Sequence, residues 1–161
     1  MSAKSISIIR KHLAHLIGMK LYELHFAGNM AMWGFSSCSS SIRFHTQSSY
    51  RMTYENQTIL CMNDFYTPVR QGKNSTLLHT ERDLLAFFSF PLKVISVDLR
   101  DNQDVTIEFE NGFSLFIYAD CNSRHEQWRF WEKLFQPHRT EHIFIAIDGT
   151  VRMCKYTSGK S

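Results

Sequence analysis

The sequence is poor in the patterns that mark several large protein classes. It has only 7 Gly and 3 Pro among 161 residues, which excludes collagen-like and low-complexity chains. No run of about 18 apolar residues occurs, so no transmembrane helix is predicted. The apolar stretch near the N-terminus is followed by basic residues and not by a small-residue cleavage site, so no secretory signal is indicated. We therefore expect a cytoplasmic protein.

The common catalytic and metal-binding motifs are also missing. There is no G-x-G-x-x-G, G-x-x-x-x-G-K-S/T or G-x-S-x-G sequence, which disfavours nucleotide-dependent enzymes and α/β-hydrolases. The 4 cysteines form no C-x-x-C pair and are predicted to be reduced thiols. His12 and His15 lie three residues apart on a predicted helix, but no H-E-x-x-H or Cys/His pattern accompanies them. They are interpreted as exposed polar residues, and neither a metal nor a cofactor is predicted.

The chain has the composition of a packed globular protein. Hydrophobic residues make up 43% of the sequence, aromatic residues 14% and charged residues 20%. A chain of 161 residues has the length of one domain, so 1–161 is predicted to be a single domain.

Hydrophobic periodicity predicts three helices and a larger number of strands. Apolar residues recur every three or four positions over 5–17 and 124–135, and a shorter helix is predicted over 81–88. In the segment 124–135, one buried stripe would be formed by Trp128, Trp131, Leu134 and Phe135. Period-two patterns predict strands over 21–26, 30–35, 41–54, 58–62, 93–100, 105–110, 113–118, 141–147 and 151–156.

Turn residues support this arrangement of strands. Asn111-Gly112 and Asp148-Gly149 each separate two alternating segments, as in a β-hairpin. The run over 41–54 is long enough to bend near Ser48-Ser49. The predicted fold class is α+β, with mainly antiparallel sheets and about three covering helices. Two related halves, 5–66 and 80–156, are predicted to be joined by the loop 67–79.

Charge is distributed unevenly along the chain. The net charge is +3, but residues 1–80 hold 8 Lys and Arg against 3 Asp and Glu, whereas residues 81–161 hold 10 against 12. The acids cluster in a 13-residue window in which Arg100 is the only cation. Such an acidic patch on a sheet would attract a basic partner. The predicted partner-binding residues are Asp98, Asp101, Asp104, Glu108 and Glu110, with Tyr118 as an aromatic anchor.

Other functions remain open at this point. His45, Arg51 and Asp64 supply the imidazole, cation and carboxylate of a small hydrolase or nuclease, although Arg51 and Asp64 also suit a structural ion pair. A nucleic-acid-binding module is a further alternative, in which the aromatic residues of 128–135 would stack bases. The mixed charge there, with Arg129 and Lys133 beside Glu126 and Glu132, weakens that alternative. In another alternative, basic residues of the N-terminal half such as Arg10, Lys11 and Lys20 bind an acidic partner.

Several segments resemble a group of small, largely uncharacterised bacterial proteins. Residues 41–52 resemble their L-H-h-Q-x-x-W-R-h strand, with Tyr50 in the place of Trp, and residues 63–68 resemble the D-h-h-x-P segment that follows. Residues 126–131 are similar to their E-x-W-R-h-h motif and residues 142–145 to their closing strand. Proteins of this type are similar to immunity proteins of bacterial toxin systems, including contact-dependent growth inhibition. The resemblance implies no catalytic residues and a cognate toxin domain as the partner, with the toxin predicted to be a nuclease.

Overall fold

The fold is built almost entirely from antiparallel strands. The computed structural model describes residues 3–27, 30–62, 91–119, 125–135, 140–147 and 150–157. Within them, helix α1 (Ala3–Leu13) continues into a 3-10 turn (Ala14–Leu16), and strands make up most of the remainder. The strands are β1 (Lys20–Ala27), β2 (Met30–Ser36), β3 (Ser40–Thr46), β4 (Tyr50–Tyr54), β5 (Gln57–Cys61), β6 (Leu92–Leu99), β7 (Val105–Phe109), β8 (Phe113–Ile117), β9 (Glu126–Leu134), β10 (Thr140–Ile147) and β11 (Thr150–Thr157).

Helix α1 forms as its periodicity predicts. Ile9, Leu13 and Leu16 are buried at four- and three-residue spacings, whereas Lys11 is exposed. Gly18 follows with a φ of +85° and has open space where a Cβ would lie. Glycine is therefore needed there for the left-handed backbone conformation and not for lack of room.

The strands form one sheet with the order β11-β10-β9-β3-β2-β1-β6-β7-β8-β4-β5. The junction between β1 and β6 is short, since only Lys20 with Lys93 and Leu21 with Leu92 are paired. We call the strands on the β11 side of this junction the first group and those on the β5 side the second group. Strands from both predicted sequence halves occur in each group, and the proposed duplication stays a prediction.

The sheet curls around one core that both groups share. Phe35 of β2 stacks on Phe109 of β7 with ring centroids 6.5 Å apart. The Trp128 indole Nε1 of β9 donates a hydrogen bond to the carbonyl oxygen of Gln103, which lies between β6 and β7, at 3.0 Å. The interior is therefore continuous across the weak junction.

The predicted α+β class with about three helices is wrong. The structure is a mostly antiparallel sheet with α1 as the one α-helix among the residues it describes. The predicted helix over 81–88, the loop 67–79 and the Asp148-Gly149 turn lie outside the described residues.

The predicted helix over 124–135 is strand β9, which lies in the first group between β3 and β10. Burial alternates along it, since Trp128, Phe130 and Glu132 are buried while Trp131 and Lys133 are half-buried. Both neighbouring strands satisfy the backbone hydrogen-bonding groups of β9, and this pairing outweighs a local helical pattern. The apolar stripe expected for a helix is consequently divided between two faces of the sheet.

The predicted strand over 41–54 divides at its expected bend. β3 pairs with β2 and β9 in the first group, whereas β4 pairs with β5 and β8 in the second. The backbone N–H groups of Gln47 and Ser48 both donate to the Gln127 carbonyl oxygen, at 2.9 and 3.0 Å. The segment thus carries the chain from one group to the other. The Asn111-Gly112 hairpin turn between β7 and β8 is confirmed, with φ values of 67° and 81°.

Candidate functional site

Strand register places several of the predicted partner-binding residues on one solvent-facing surface. Asp98 of β6 pairs with Thr106 of β7, and Thr106 pairs in turn with Phe116 of β8. Phe116 then pairs with Arg51 of β4. Residues directly opposite one another on antiparallel strands share a face of the sheet. Asp98 and Arg51 are exposed at the two ends of this row.

Glu108 extends the same surface by one row. It pairs with Ser96, whose hydroxyl Oγ donates to Glu108 Oε2 at 2.5 Å. Among the residues that the structure describes, neither Asp98 nor Glu108 forms an ion pair. We call the surface formed by Asp98, Glu108, Phe116, Tyr118 and Arg51 the acidic-aromatic face.

Two of the other three predicted acids, Asp101 and Asp104, contact neighbouring elements of the fold. Asp101 Oδ1 lies 3.3 Å from the Arg10 guanidinium of α1. Asp104 Oδ1 accepts a hydrogen bond from the backbone N–H of Ala119 at 2.8 Å, which fixes the turn between β6 and β7. Glu110 begins the turn after β7. Asp98 and Glu108 are therefore the two predicted acids that the strand register places on this face and that form no ion pair among the described residues.

The Arg51 guanidinium covers the aromatic part of this surface. Its Cζ lies 5.2 Å from the ring centroid of Phe116 and 5.9 Å from that of Tyr118, within the range of cation–π contacts. Tyr118, the predicted aromatic anchor, lies on this face, and the Arg51 guanidinium partly covers its ring. Phe116 is absent from the predicted set, although its position between the buried Leu115 and Ile117 is the alternation that indicates an outward side chain.

His45 and Arg51, two of the three residues of the hydrolase hypothesis, lie on strands that are not neighbours in the sheet. His45 lies on β3 and Arg51 on β4, with five strands between them in the sheet order. Asp64 lies outside the described residues. Burial lowers the pKa of His45 from 6.5, and the Arg129 and Arg43 guanidinium groups lower it further.

A groove lies on the outer side of the first group. It has a volume of about 370 Å³ and is lined by Tyr22, Ser41, Arg43, Trp131, Lys133 and Phe135. Its cations are partly balanced, since Arg43 Nη2 lies 3.8 Å from a Glu23 carboxylate oxygen and Lys133 Nζ lies 3.4 Å from Glu141 Oε1. The Trp131 indole Nε1 is buried and has no hydrogen-bond partner among the described residues. Burial raises the pKa of the Tyr22 hydroxyl, and the Glu23 charge adds to this effect.

Sequence reasoning missed a cluster of imidazoles on the inner side of the first group. Glu132 of β9 is fully buried and is contacted by His12 of α1, His15 of the 3-10 turn and His142 of β10. The prediction that His12 and His15 are simply exposed is wrong for His12, whose side chain is 20% exposed. The alternation of β9 indicates that Glu132 points inward with Trp128 and Phe130, but the interpretation of 124–135 as a helix did not use this alternation.

Comparison with known proteins gives no family for this chain. No family model, no curated protein and no solved structure matches it. Among the described residues, no helix is long and apolar enough to cross a membrane.

Proposed function

We propose that this protein is a non-enzymatic immunity protein that binds a toxin domain through its acidic-aromatic face. The toxin would belong to a contact-dependent growth inhibition or other polymorphic toxin system, and binding would block its active site. The observation that carries this proposal is the juxtaposition of two carboxylates without ion pairs, Asp98 and Glu108, with the rings of Phe116 and Tyr118 on adjacent strands.

The charges on this face suit a basic partner. A nuclease toxin needs positive charge to hold the phosphate backbone of its substrate. Asp98 and Glu108 present negative charge that no neighbouring cation neutralises among the described residues. Long-range attraction between such surfaces raises the association rate and disfavours partners of the same charge.

The aromatic part of the face suits the centre of a protein interface. Phe116, Tyr118 and Arg51 are held together by ring and guanidinium contacts, and aromatic residues and arginine dominate binding hot spots. β7 and β8 are both flanked by paired strands, so the backbone beneath the face is already ordered before binding. A preordered surface loses less conformational entropy when it docks.

The test uses the gene neighbourhood and association kinetics. The C-terminal domain of a large secreted protein encoded next to this gene would be purified and its binding to the full chain measured by biolayer interferometry at two salt concentrations. Glu108→Lys should slow association by about tenfold or more at low salt, since steering contributes about 10- to 1,000-fold to such rates. Glu55→Lys is the matched control, because Glu55 is also exposed but lies in the turn after β4.

Two results would contradict the proposal. Equal association rates for Glu108→Lys and Glu55→Lys would remove the acidic-aromatic face from the interface. Hydrolysis of a nucleic-acid or ester substrate by the purified chain, lost in His45→Ala, would favour the hydrolase hypothesis instead. A supporting thermal measurement is stabilisation by about 4 kcal/mol when the toxin domain is present at about 1,000 times its dissociation constant.

A second candidate function, binding of single-stranded nucleic acid, is favoured by the groove on the first group. There the Trp131 and Tyr22 rings could stack bases, and Arg43 and Lys133 would hold phosphates by exchanging their Glu23 and Glu141 partners for phosphate oxygens. Titration with an oligothymidylate would quench the half-buried Trp131 in wild type and leave the emission of Trp131→Phe unchanged. An absence of quenching in wild type at low salt would exclude this function.

A further inference from the structure

Three imidazoles, from α1, the 3-10 turn and β10, converge on the carboxylate of Glu132 in β9. His12 Nδ1 lies 2.8 Å from Glu132 Oε2, and His142 Nδ1 lies 3.4 Å from the same oxygen. His15 Nδ1 lies 2.5 Å from the other oxygen, Oε1. The imidazole centroids of His12 and His142 are 4.7 Å apart.

The carboxylate of Glu132 is held entirely away from solvent. Its side chain is 0% exposed, and removing an ionised carboxylate from water is costly unless it is paired or bound to a metal. Its ion-pair partners among the described residues are histidines, with no lysine or arginine among them. A divalent cation bound beside Glu132 would supply the pairing that such a buried carboxylate needs.

We propose that Glu132, His12 and His142 form a binding site for a divalent transition metal of the zinc type. Two imidazole nitrogens and one carboxylate oxygen are donors that Zn²⁺ prefers, and three protein ligands leave a fourth position for water. The three ligand atoms lie within 4.8 Å of one another. The proposal does not depend on toxin binding.

The distances are close to those of a metal site. Bonds of about 2.1 Å at tetrahedral angles place two ligand atoms about 3.4 Å apart. The separation between His142 Nδ1 and Glu132 Oε2 is already 3.4 Å. His12 Nδ1 would have to move only about half an ångström from Oε2 to reach the same separation. Two of the three ligand separations are therefore close to those of a tetrahedral site, and the third is at most 4.8 Å.

His15 has the place of a positioning residue. Its contact with Oε1 orients the carboxylate so that Oε2 faces His12 and His142. Partners of this kind outside the ligand set commonly change metal affinity by about 10- to 100-fold. Metal bound here would join α1 to β9 and β10, three elements that are distant in sequence.

The experiment is a titration of the tag-free full chain, freed of metal by chelation, with ZnCl₂ by isothermal calorimetry. We expect one Zn²⁺ per chain in wild type and binding weaker by more than about 100-fold in Glu132→Gln and His142→Gln, since loss of a supporting residue alone costs about 10- to 100-fold. His15→Gln should keep the stoichiometry with weaker affinity. His25→Gln is the matched control, because His25 pairs with Glu23 at 2.7 Å on the exposed part of β1.

Two further measurements separate binding at this cluster from binding elsewhere on the chain. Co²⁺ in place of Zn²⁺ should give a visible absorption spectrum without a thiolate charge-transfer band, which separates the cluster from a site with thiol ligands such as Cys38 or Cys61. Circular dichroism shows whether each variant is folded, and if Glu132→Gln is not, His142→Gln decides the result. The proposal is overturned if wild type binds no metal, or if His142→Gln binds Zn²⁺ as wild type does.

Discussion

Replacement of Trp128 by Phe should destabilise the protein far more than the same replacement at Trp131. Trp128 is 0% exposed, and its indole Nε1 donates to the Gln103 carbonyl oxygen at 3.0 Å. Gln103 is itself only 3% exposed, so the variant would leave a buried acceptor without this donor. That loss costs about 1–3 kcal/mol. The volume lost with the second ring of the indole adds about 1 kcal/mol.

The expected sum of about 2–4 kcal/mol is a large part of the about 5–15 kcal/mol that stabilises a typical domain. Trp131 lies on the opposite face of β9, is half-buried, and its Nε1 has no hydrogen-bond partner among the described residues. Trp131→Phe should therefore cost less than about 1 kcal/mol.

The two variants would be compared by urea denaturation followed by far-UV circular dichroism, since both substitutions alter tryptophan fluorescence. The comparison also tests the strand assignment of β9, because a helix would bury both indoles on one stripe. Equal destabilisation by the two variants would refute the argument. A change in the slope of the denaturation curve would indicate that the two strand groups no longer unfold together.

Two other perturbations test the outer side of the first group. Burial and the Arg129 and Arg43 charges lower the pKa of His45 in the folded protein, so this imidazole binds a proton more readily in the unfolded chain. His45 therefore has no effect on the free energy of unfolding above about pH 6.5 and lowers it as the pH falls below that value. Urea denaturation from pH 7.5 to 5.5 should therefore show a steeper loss in wild type than in His45→Gln, and parallel losses would contradict the assignment. Gly34→Ala should cost about 1–3 kcal/mol through overpacking, because its Cβ would lie 2.8 Å from the Glu23 Cβ; an unchanged midpoint of denaturation would show that β1 relaxes freely.

Local patterns were sufficient for elements whose partners are adjacent in sequence. The periodicity of α1 and the Asn111-Gly112 turn each depend on interactions within a few residues. The alternation along β7 and β8 belongs to one hairpin, so its buried and exposed residues could be assigned from the sequence. Asp98 and Glu108 on the acidic-aromatic face follow from the same alternation.

Distant pairing determined the rest. Trp128 and Trp131 have a helical spacing, but β3 and β10 supply hydrogen bonds to both edges of β9 and place the two indoles on opposite faces. Arg10 and Asp101 contact one another although they are far apart in the chain. Their sequence neighbours do not indicate this contact, and each residue was therefore predicted separately to bind a partner.

The amino-acid sequence by itself determined where most strands lie, which of their faces is apolar and where the chain turns, because these properties arise from neighbours two to four residues apart. Only the tertiary structure decided the order of the strands, the conformation of β9 and the meeting of Glu132 with His12, His15 and His142. The physical reason is that a buried carboxylate and its imidazole partners are brought together by long-range strand pairing and by the packing of α1, and no local spacing records either.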